Sequence, residues 1–274
     1  MACHNCDSKD EDVLDSGSCL FHDENYLQDK NNHKEHEEKV KDRLEAKIRN
    51  SIDQNEPLFC IGYHLPDIIF KRANFTKPVY FSECEFQGLA DFSEAKFSAE
   101  AHFSGANFQG VITDFSHAAF FDRTYFSDSQ DLGTFNGEMS FNYTLFEAKE
   151  KIIFEVQDLS NVSFMNSDIT RIRLSDKARW REVERKKGKD RFTVIEEKWL
   201  EGSHPKSHPD ISLGSVMTVY RNLRENYEFR LRYDEAGKFF IKEMELETGS
   251  RIIVKPNCWF RRNLSLTGLY YHLS

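Results

Sequence analysis

Aromatic residues recur along residues 75–126 at gaps that alternate between five and six, with one gap of seven, and small residues stand two positions before them. Six of those ten preceding residues are alanine, and the spacers are polar, as in the segment FSGANFQG. This pattern predicts a short structural unit that repeats many times. The ten aromatics are Phe75, Phe81, Phe86, Phe92, Phe97, Phe103, Phe108, Phe115, Phe120 and Phe126.

The spacing fits neither a half-exposed strand nor an α-helix. A strand keeps its apolar residues at a period of two, so mixed odd and even gaps would place successive rings on opposite faces. In a helix, rings five residues apart would point about 140° away from each other. The spacing instead predicts a chain that turns after every five or six residues and stacks coil on coil. Each side of a coil would direct one large and one small residue at the axis.

The segment from Arg72 to Phe108 resembles the pentapeptide repeat family, whose unit is a small residue, a polar residue, Phe or Leu, and two polar residues. The resemblance implies a mainly β fold, a right-handed quadrilateral β-helix with four units in a coil. One extra residue in every second unit lengthens the coil to about 22 residues. Less regular candidates continue to Leu174, which places the β-helix at residues 67–175, about five coils. Bulged corners are predicted at 127–133 and 147–153.

Residues 26–66 are predicted to form a charged helix, with Val40, Leu44, Ile48 and Ile52 on one side, followed by an N-terminal cap. Caps are expected because the terminal coils of a solenoid expose rings and unpaired backbone groups. The extended apolar segment 56–70 is predicted to form the first coil edge or its cap.

The C-terminal third is predicted to contain three parts. Residues 176–210 form a cap strand and a loop, with Phe192, Val194 and Ile195 in the strand and Trp180 and Trp199 covering the end of the stack. Residues 211–248 resemble one tetratricopeptide-type helical hairpin. Residues 249–274 contain aromatic and arginine residues typical of a membrane-proximal flank, with a surface helix as an equal alternative. The residues predicted to face inward in the hairpin are Val216, Tyr220, Leu223, Tyr227, Ala236, Phe240 and Met244.

The charge is distributed unevenly along the 274 residues. The whole chain has a net charge of −9, and residues 67–175 hold 16 acidic and 9 basic side chains, a net charge of −7. We therefore expect no direct nucleic-acid binding, because a phosphate backbone attracts Lys and Arg. The sequence has no apolar run long enough to span a bilayer and no secretory h-region. We expect a cytoplasmic location. Membrane association would be made through the C-terminal end.

The N-terminal residues 1–25 contain a candidate metal site. Cys3, Cys6, Cys19 and His22 follow the spacing C-x2-C-x12-C-x2-H. Two short-spaced pairs can present four ligands to a tetrahedral zinc ion, and with all four positions filled the zinc would be structural. The alternative is an acidic tail in which these residues are incidental. The other cysteines Cys60 and Cys84 are predicted to pack as small apolar groups.

The sequence contains no nucleophile elbow, no phosphate-binding glycine loop and no H-E-x-x-H motif, so we predict that the protein is not an enzyme. Three functions compete. The first is a non-catalytic scaffold that binds a protein partner. The second is the cytosolic regulatory region of a membrane ion channel or sensor, since the order of parts resembles a Phe-rich prokaryotic subgroup with relatives that continue into a channel-like region. The third is a DNA mimic that inhibits a topoisomerase. No partner or oligomeric state is specified by the sequence.

Overall fold

The computed structural model describes residues 14, 18–23, 25–28, 32–127, 135, 137–183, 191–200 and 211–251. Its helices are α1 (His33–Gln54), α2 (Ile195–Leu200), α3 (Leu213–Phe229) and α4 (Tyr233–Arg251), and a short 3-10 helix lies at Lys149–Lys151. The strands are β1 (Leu58–Phe59), β2 (His64–Leu65), β3 (Ile68–Ile69), β4 (Asn74–Phe75), β5 (Val79–Tyr80), β6 (Glu85–Phe86), β7 (Ala90–Asp91), β8 (Lys96–Phe97), β9 (Ala101–Ser104), β10 (Asn107–Phe108), β11 (Ile112–Asp114), β12 (Ala119–Phe120), β13 (Thr124–Ser127), β14 (Glu138–Ser140), β15 (Leu145–Phe146), β16 (Ile152–Glu155), β17 (Val162–Ser163), β18 (Arg173–Leu174), β19 (Arg181–Val183) and β20 (Arg191–Thr193).

Eighteen of these strands form four parallel sheets, which are the four sides of a β-solenoid of about five turns. The first face is β1-β5-β9-β13-β16-β18, the second β2-β6-β10, the third β3-β7-β11-β14-β17 and the fourth β4-β8-β12-β15. Pairing joins Phe75 to Phe97 and Phe86 to Phe108, which are 22 positions apart. The predicted solenoid and its coil length are confirmed.

The core is a stack of phenylalanine rings along the axis. Phe86 and Phe108 stack with ring centroids 4.5 Å apart, and Phe97 and Phe120 with centroids 4.7 Å apart. These distances match the spacing of about 4.8 Å between hydrogen-bonded strands. All ten phenylalanines of the sequence pattern are at most 3% exposed. Since no coil could bury its own rings, the core exists only through stacking.

The corners of the coil follow two designs. At the five-residue gaps a residue adopts a left-handed conformation, as Glu94 does with φ 60°. At the corner between the second and third faces, where the gaps are six or seven residues, glycines stack above each other: Gly88, Gly110 and Gly137. A Cβ on Gly110 would lie 1.9 Å from the carbonyl oxygen of Gly88, so a side chain does not fit there. The bulged corner predicted at 147–153 contains the 3-10 helix, whereas 128–133 of the other lies outside the described residues.

The solenoid begins at Leu58, earlier than the predicted residue 67. Leu65 pairs with Phe86, and Cys60 lies on the first face one coil below Phe81. Both are fully buried, so smaller residues fill the first two ring positions of the first coil, and Phe70 and Phe75 fill the other two. The helix α1 precedes it, with Val40 and Leu44 buried as predicted and Ile48 partly buried against the core. Ile52, predicted on the same side, is 44% exposed because it lies in the last turn of α1, beyond the part that packs on the core.

The C-terminal elements differ from the prediction in two places. The strand β20 ends at Thr193, and Ile195 begins the helix α2 instead of extending the strand. The helices α3 and α4 form the expected hairpin, but Phe240 and Met244 are 38% and 37% exposed, while Phe239 is 2% exposed. The inward face of α4 is shifted because the ring of Phe239 packs edge-on against Trp180.

Trp180 and Trp199 are buried at this end of the molecule, as expected. The loop predicted at 201–210 and most of the predicted C-terminal segment, from residue 252 onward, lie outside the described residues. Within the part that is described, no helix combines the length and apolarity needed to cross a bilayer.

Candidate functional site

The first face of the solenoid carries a column of outward-pointing rings: Phe59, Tyr80, His102 and Tyr125. We call these four residues the outer aromatic column. They point outward because neighbours along a strand alternate between the two faces of a sheet. Their ring centroids are 4.8, 4.7 and 5.1 Å apart in that order, with the planes nearly parallel. Phe59 is 50% exposed and the other three rings are half-buried, so the column offers a partly exposed aromatic surface across four coils.

A carboxylate lies beside the centre of the outer aromatic column. Nε2 of His102 is 3.2 Å from Oε2 of Glu100, and Nη1 of Arg123 is 3.7 Å from Oε1 of the same carboxylate. Aromatic faces attract cationic groups, and a nearby carboxylate adds to that attraction. The column therefore suits a ligand that presents both flat and positively charged side chains.

Ion pairs between successive coils cover much of the solenoid exterior. Nε of Arg72 lies 2.7 Å from Glu94, Lys151 lies 2.8 Å from Asp122, and the side chain of Arg173 lies 3.0 Å from Glu155. The guanidinium of Arg72 holds the pKa of the Glu94 carboxyl below its usual range. These pairs partly neutralise the acidic surface in a periodic way, which makes it unlike the unpaired charge of a phosphate backbone.

The C-terminal end of the stack is closed by side chains from the helices. In the coils before it, the N–H of each third-face phenylalanine donates to a carbonyl of the next coil, as that of Phe141 does to Ser163. The last one, Phe164, donates instead to Oε1 of Glu196 at 2.9 Å. Nδ2 of Asn226 donates to the carbonyls of Ile169 and Ile172 at 2.6 and 2.8 Å. Thus α2 and α3 replace the missing coil.

A buried polar cluster holds α2 against the hairpin. Nζ of Lys242 is 2.8 Å from Oε2 of Glu197, with both side chains less than a tenth exposed. The hydroxyl of Tyr220 donates to the same carboxylate at 2.5 Å. Beside this pair, burial raises the pKa of Glu196 to about 7. The charges of Glu197 and Lys242 satisfy each other in a site that water does not reach.

Replacing Glu196 with Gln is expected to flatten the pH dependence of stability. The pKa of Glu196 is raised above its ordinary 4.5 in the folded state. Its contribution to the free energy of unfolding is therefore complete below about pH 4.5 and is lost as the pH rises through about 7. The variant should therefore gain stability relative to the wild type between pH 5 and pH 8, measured by urea denaturation. The Glu196→Gln variant keeps the neighbouring side chains of Glu197, Tyr220 and Lys242. Glu225→Gln, at an exposed position of α3, should keep the wild-type profile; parallel profiles for wild type and Glu196→Gln would contradict the assignment.

The structure brings two of the four predicted metal ligands together. Sγ of Cys19 lies 3.1 Å from Nδ1 of His22, and Nε2 of His22 lies 2.9 Å from the carbonyl oxygen of Ile61. Cys3 and Cys6 lie outside the described residues, and no group of three or more candidate ligands occurs within the described ranges. The zinc site stays a prediction.

Cys60 and Cys84 pack in the core, as predicted. Sγ of Cys84 donates to the carbonyl of Cys60, and burial raises the pKa of the Cys60 thiol to about 12. Sequence reasoning missed the outer aromatic column, although Tyr80, His102 and Tyr125 each directly precede a buried phenylalanine at one-coil intervals. No comparable signal marks Glu196 as a cap.

Comparison with protein families gives one match. The family described as Pentapeptide repeats (9 copies) matches residues 70–119, which correspond to the most regular coils of the solenoid. Comparisons with the curated proteins and with the solved structures found no match.

Proposed function

Because the chain is a pentapeptide repeat protein, from a family that is generally non-catalytic, we propose that it is a non-catalytic scaffold that binds a protein partner. The observation that carries this proposal is the outer aromatic column. The core is built from the inward rings, which are buried. The outward rings of Phe59, Tyr80, His102 and Tyr125 are not part of it, so they can contact a partner. Exposed aromatic clusters of this kind are typical of protein interaction surfaces.

The partner that fits this surface presents a basic, extended segment. The column runs along the solenoid axis with one ring in each coil, at intervals of about 4.8 Å. An extended peptide that lies along it directs every second side chain at the rings, about 6.6–6.8 Å apart. The solenoid has a net charge of −7 between residues 67 and 175, and Glu100 lies next to His102. Arginine side chains satisfy both features, since the guanidinium stacks on rings and pairs with carboxylates. We place this interaction in the cytoplasm, where the buried thiols of Cys60 and Cys84 stay reduced.

The ion pairs between coils favour the scaffold over the DNA mimic. A mimic needs unpaired negative charge along its length, whereas Glu94, Asp122 and Glu155 each have a basic partner within 3.0 Å. The channel-region hypothesis depends on residues 249–274, of which 252–274 lie outside the described residues.

Replacing two rings of the column should weaken partner binding strongly without unfolding the protein. A photo-crosslinking amino acid at Ser104, beside the column, identifies the partner in cells, and purified components then give the Kd. Phe59→Ser combined with Tyr125→Ser should weaken binding by roughly a hundredfold, because each aromatic contact of this type contributes about 1–2 kcal/mol.

The matched control is Ile69→Ser combined with Val111→Ser, at positions 72% and 82% exposed on another side of the solenoid. It should leave the Kd unchanged. Equal weakening in both double variants, or none in either, would refute the column as the binding surface. If the crosslinked partner is a topoisomerase whose binding is unchanged in the column variants, the DNA-mimic hypothesis would be supported instead.

A further inference from the structure

We propose that two copies of this chain pair through the fourth faces of their solenoids, with the solenoid axes antiparallel. The proposal concerns a different surface from the outer aromatic column and does not depend on the partner that the column binds. It rests on the exposed side chains of the fourth face and on the order in which their charges and sizes follow each other.

The outward residues of the fourth face form a column of their own. In each coil of this face the residue before the inward ring points outward, because neighbours along a strand alternate between the two sides of a sheet. Strand pairing places Ala119 directly above Lys96 and Leu145 directly above Ala119. Lys96 and Leu145 are exposed, whereas the small side chain of Ala119 is only 8% exposed between them.

Asp168 occupies the next place in this series. The turn before Leu145 is closed by a hydrogen bond from the N–H of Thr144 to the carbonyl three residues earlier, and the turn before Asp168 by the same bond from Ser167. Ile169 follows directly and fills the inward position, where it is 1% exposed. Asp168 therefore points outward, and 54% of its side chain is exposed.

The carboxylate of Asp168 can accept a further cation. Its Oδ2 contacts Nζ of Lys149, and its Oδ1 accepts from the backbone N–H and the hydroxyl of Thr170 at 3.1 and 2.7 Å. An ionised carboxylate offers about four lone-pair sites. Lys149 belongs to the 3-10 helix at the corner of the coil, so it lies beside the column and not on it. An ammonium group from another molecule can therefore bind the same carboxylate from outside.

Apolar side chains widen this surface in its two central coils. Phe121 and Tyr143 lie at the two corners of the fourth face and are 42% and 44% exposed, and Leu145 between them is 48% exposed. The ring of Tyr143 stacks on that of His117 with centroids 4.9 Å apart, which holds it in place. An exposed apolar area rimmed by charged residues is typical of a protein interface.

The order of the side chains selects an antiparallel second copy as the occupant. From the N-terminal end the column reads positive, small, large and negative: Lys96, Ala119, Leu145 and Asp168. When a second copy faces it with its axis reversed, each Lys96 meets Asp168 of the other copy, and each Leu145 lies over the small Ala119. With the axes parallel, Lys96 would meet Lys96 and Asp168 would meet Asp168. Like charges placed directly opposite each other are destabilising.

The symmetry of this arrangement closes it at two copies. A two-fold axis parallel to the strands relates the two faces, so the same patch is used on both copies and no third copy can add. The chain enters the first face where the strands of the fourth face end. Both outer aromatic columns therefore lie on the same side of the dimer and run in opposite directions. One face is a small interface by the standard of roughly 800 Å² per partner, so we expect a Kd of about 1–100 µM.

Sedimentation equilibrium of the full chain, at concentrations up to about 500 µM, is expected to show a monomer–dimer equilibrium in this range. Leu145→Glu should raise the Kd by at least about tenfold, because it places a carboxylate in the apolar centre of the interface. Val111→Glu, at a position 82% exposed beside the third face, is the matched control and should leave the Kd unchanged. A wild-type chain that is monomeric at the highest concentration, or equal effects of the two variants, would overturn the proposal.

Charge reversal tests the antiparallel arrangement. Lys96→Glu should raise the Kd by about tenfold, since it places two carboxylates opposite each other at both ends of the interface, and Asp168→Lys should do the same with two ammonium groups. The two substitutions in one chain restore opposite charges across the interface and should return the Kd to within about threefold of the wild-type value.

Far-UV circular dichroism shows whether each charge variant folds, and Lys96→Glu, at an exposed position, tests the charge pairing even if Asp168→Lys does not fold. Single variants with the wild-type Kd, or a folded double variant that dimerises as weakly as Lys96→Glu, would overturn the antiparallel pairing.

Discussion

Phe120→Ala is expected to lower the free energy of unfolding by about 3–5 kcal/mol, the range for removing a buried phenylalanine ring. Phe120 is 0% exposed and stacks between Phe97 and Phe146, with centroid distances of 4.7 and 5.7 Å. The cavity would lie in the middle of the stack, where hydrogen bonds to both neighbouring coils keep the backbone from collapsing into it. Urea denaturation followed by far-UV circular dichroism measures the loss.

The adjacent residue provides the control for this prediction. Phe121 has the same side chain and follows Phe120 directly, but it points outward and is 42% exposed. Phe121→Ala should therefore change the free energy of unfolding by less than about 1 kcal/mol. Comparable losses for the two variants would mean that the inward and outward assignment of the ladder is wrong.

Gly110→Ala is expected to cost about 3 kcal/mol or more, because the added methyl group overpacks a site that cannot relax. Its Cβ would lie 1.9 Å from the carbonyl oxygen and 2.5 Å from the carbonyl carbon of Gly88, and real Cβ atoms essentially never come within 3.0 Å of another atom. Both contacts are backbone atoms of the preceding coil and not the end of a flexible side chain, so the coils themselves would have to separate.

Gly214→Ala is the matched control for the glycine corner. Gly214 lies in the first turn of α3, and a Cβ there would meet only the hydroxyl of Ser212 at 3.7 Å, an ordinary contact. Alanine is also the better helix former, so this variant should be neutral or stabilised by a few tenths of a kcal/mol. A Gly110→Ala protein as stable as Gly214→Ala would show that the corner has room for a side chain.

The sequence predicts the middle of the molecule well because there one residue type repeats at every ring position. The gaps between phenylalanines predict a turn after every five or six residues and the burial of each ring, and the resemblance to pentapeptide repeats adds the four faces and hence the coil length. The phenylalanine pattern places the start of the solenoid too late, because Cys60 and Leu65 fill the first two ring positions of the first coil and neither continues the pattern. Burial there is decided by the coil above, not by the residue itself.

The helical end shows why pattern reasoning is weaker away from the repeat. The spacing predicts Phe240 and Met244 on the inward face of α4, but the buried face contains Phe239, Lys242 and Glu243. Their partners lie mainly on α2 and α3. Glu243 is buried because Nη2 of Arg221 lies 2.7 Å from its carboxylate. A hydrophobic pattern cannot identify charged residues that are buried in pairs, since the pairing depends on a second element.

The candidate sites also differ in how far the sequence predicts them. The Cys19–His22 pair was visible in the spacing of the sequence, and the structure adds the contact to Ile61 that orients the histidine. The outer aromatic column had a repeating signal that is recognisable only after the inward register is known. The cap formed by Glu196 and Asn226 had none, because hydrogen bonds to an open strand edge leave no periodic trace.

The side chains that terminate the solenoid also determine how the molecule can assemble. An uncovered terminal coil would act as a template for another chain, and rods would grow end to end into filaments. With Glu196 and Asn226 occupying the last backbone groups and Phe21 lying below the first coil, that growth is arrested at a fixed number of turns. Any higher-order complex must then form sideways, with partners arrayed along the flank of a rod of defined length.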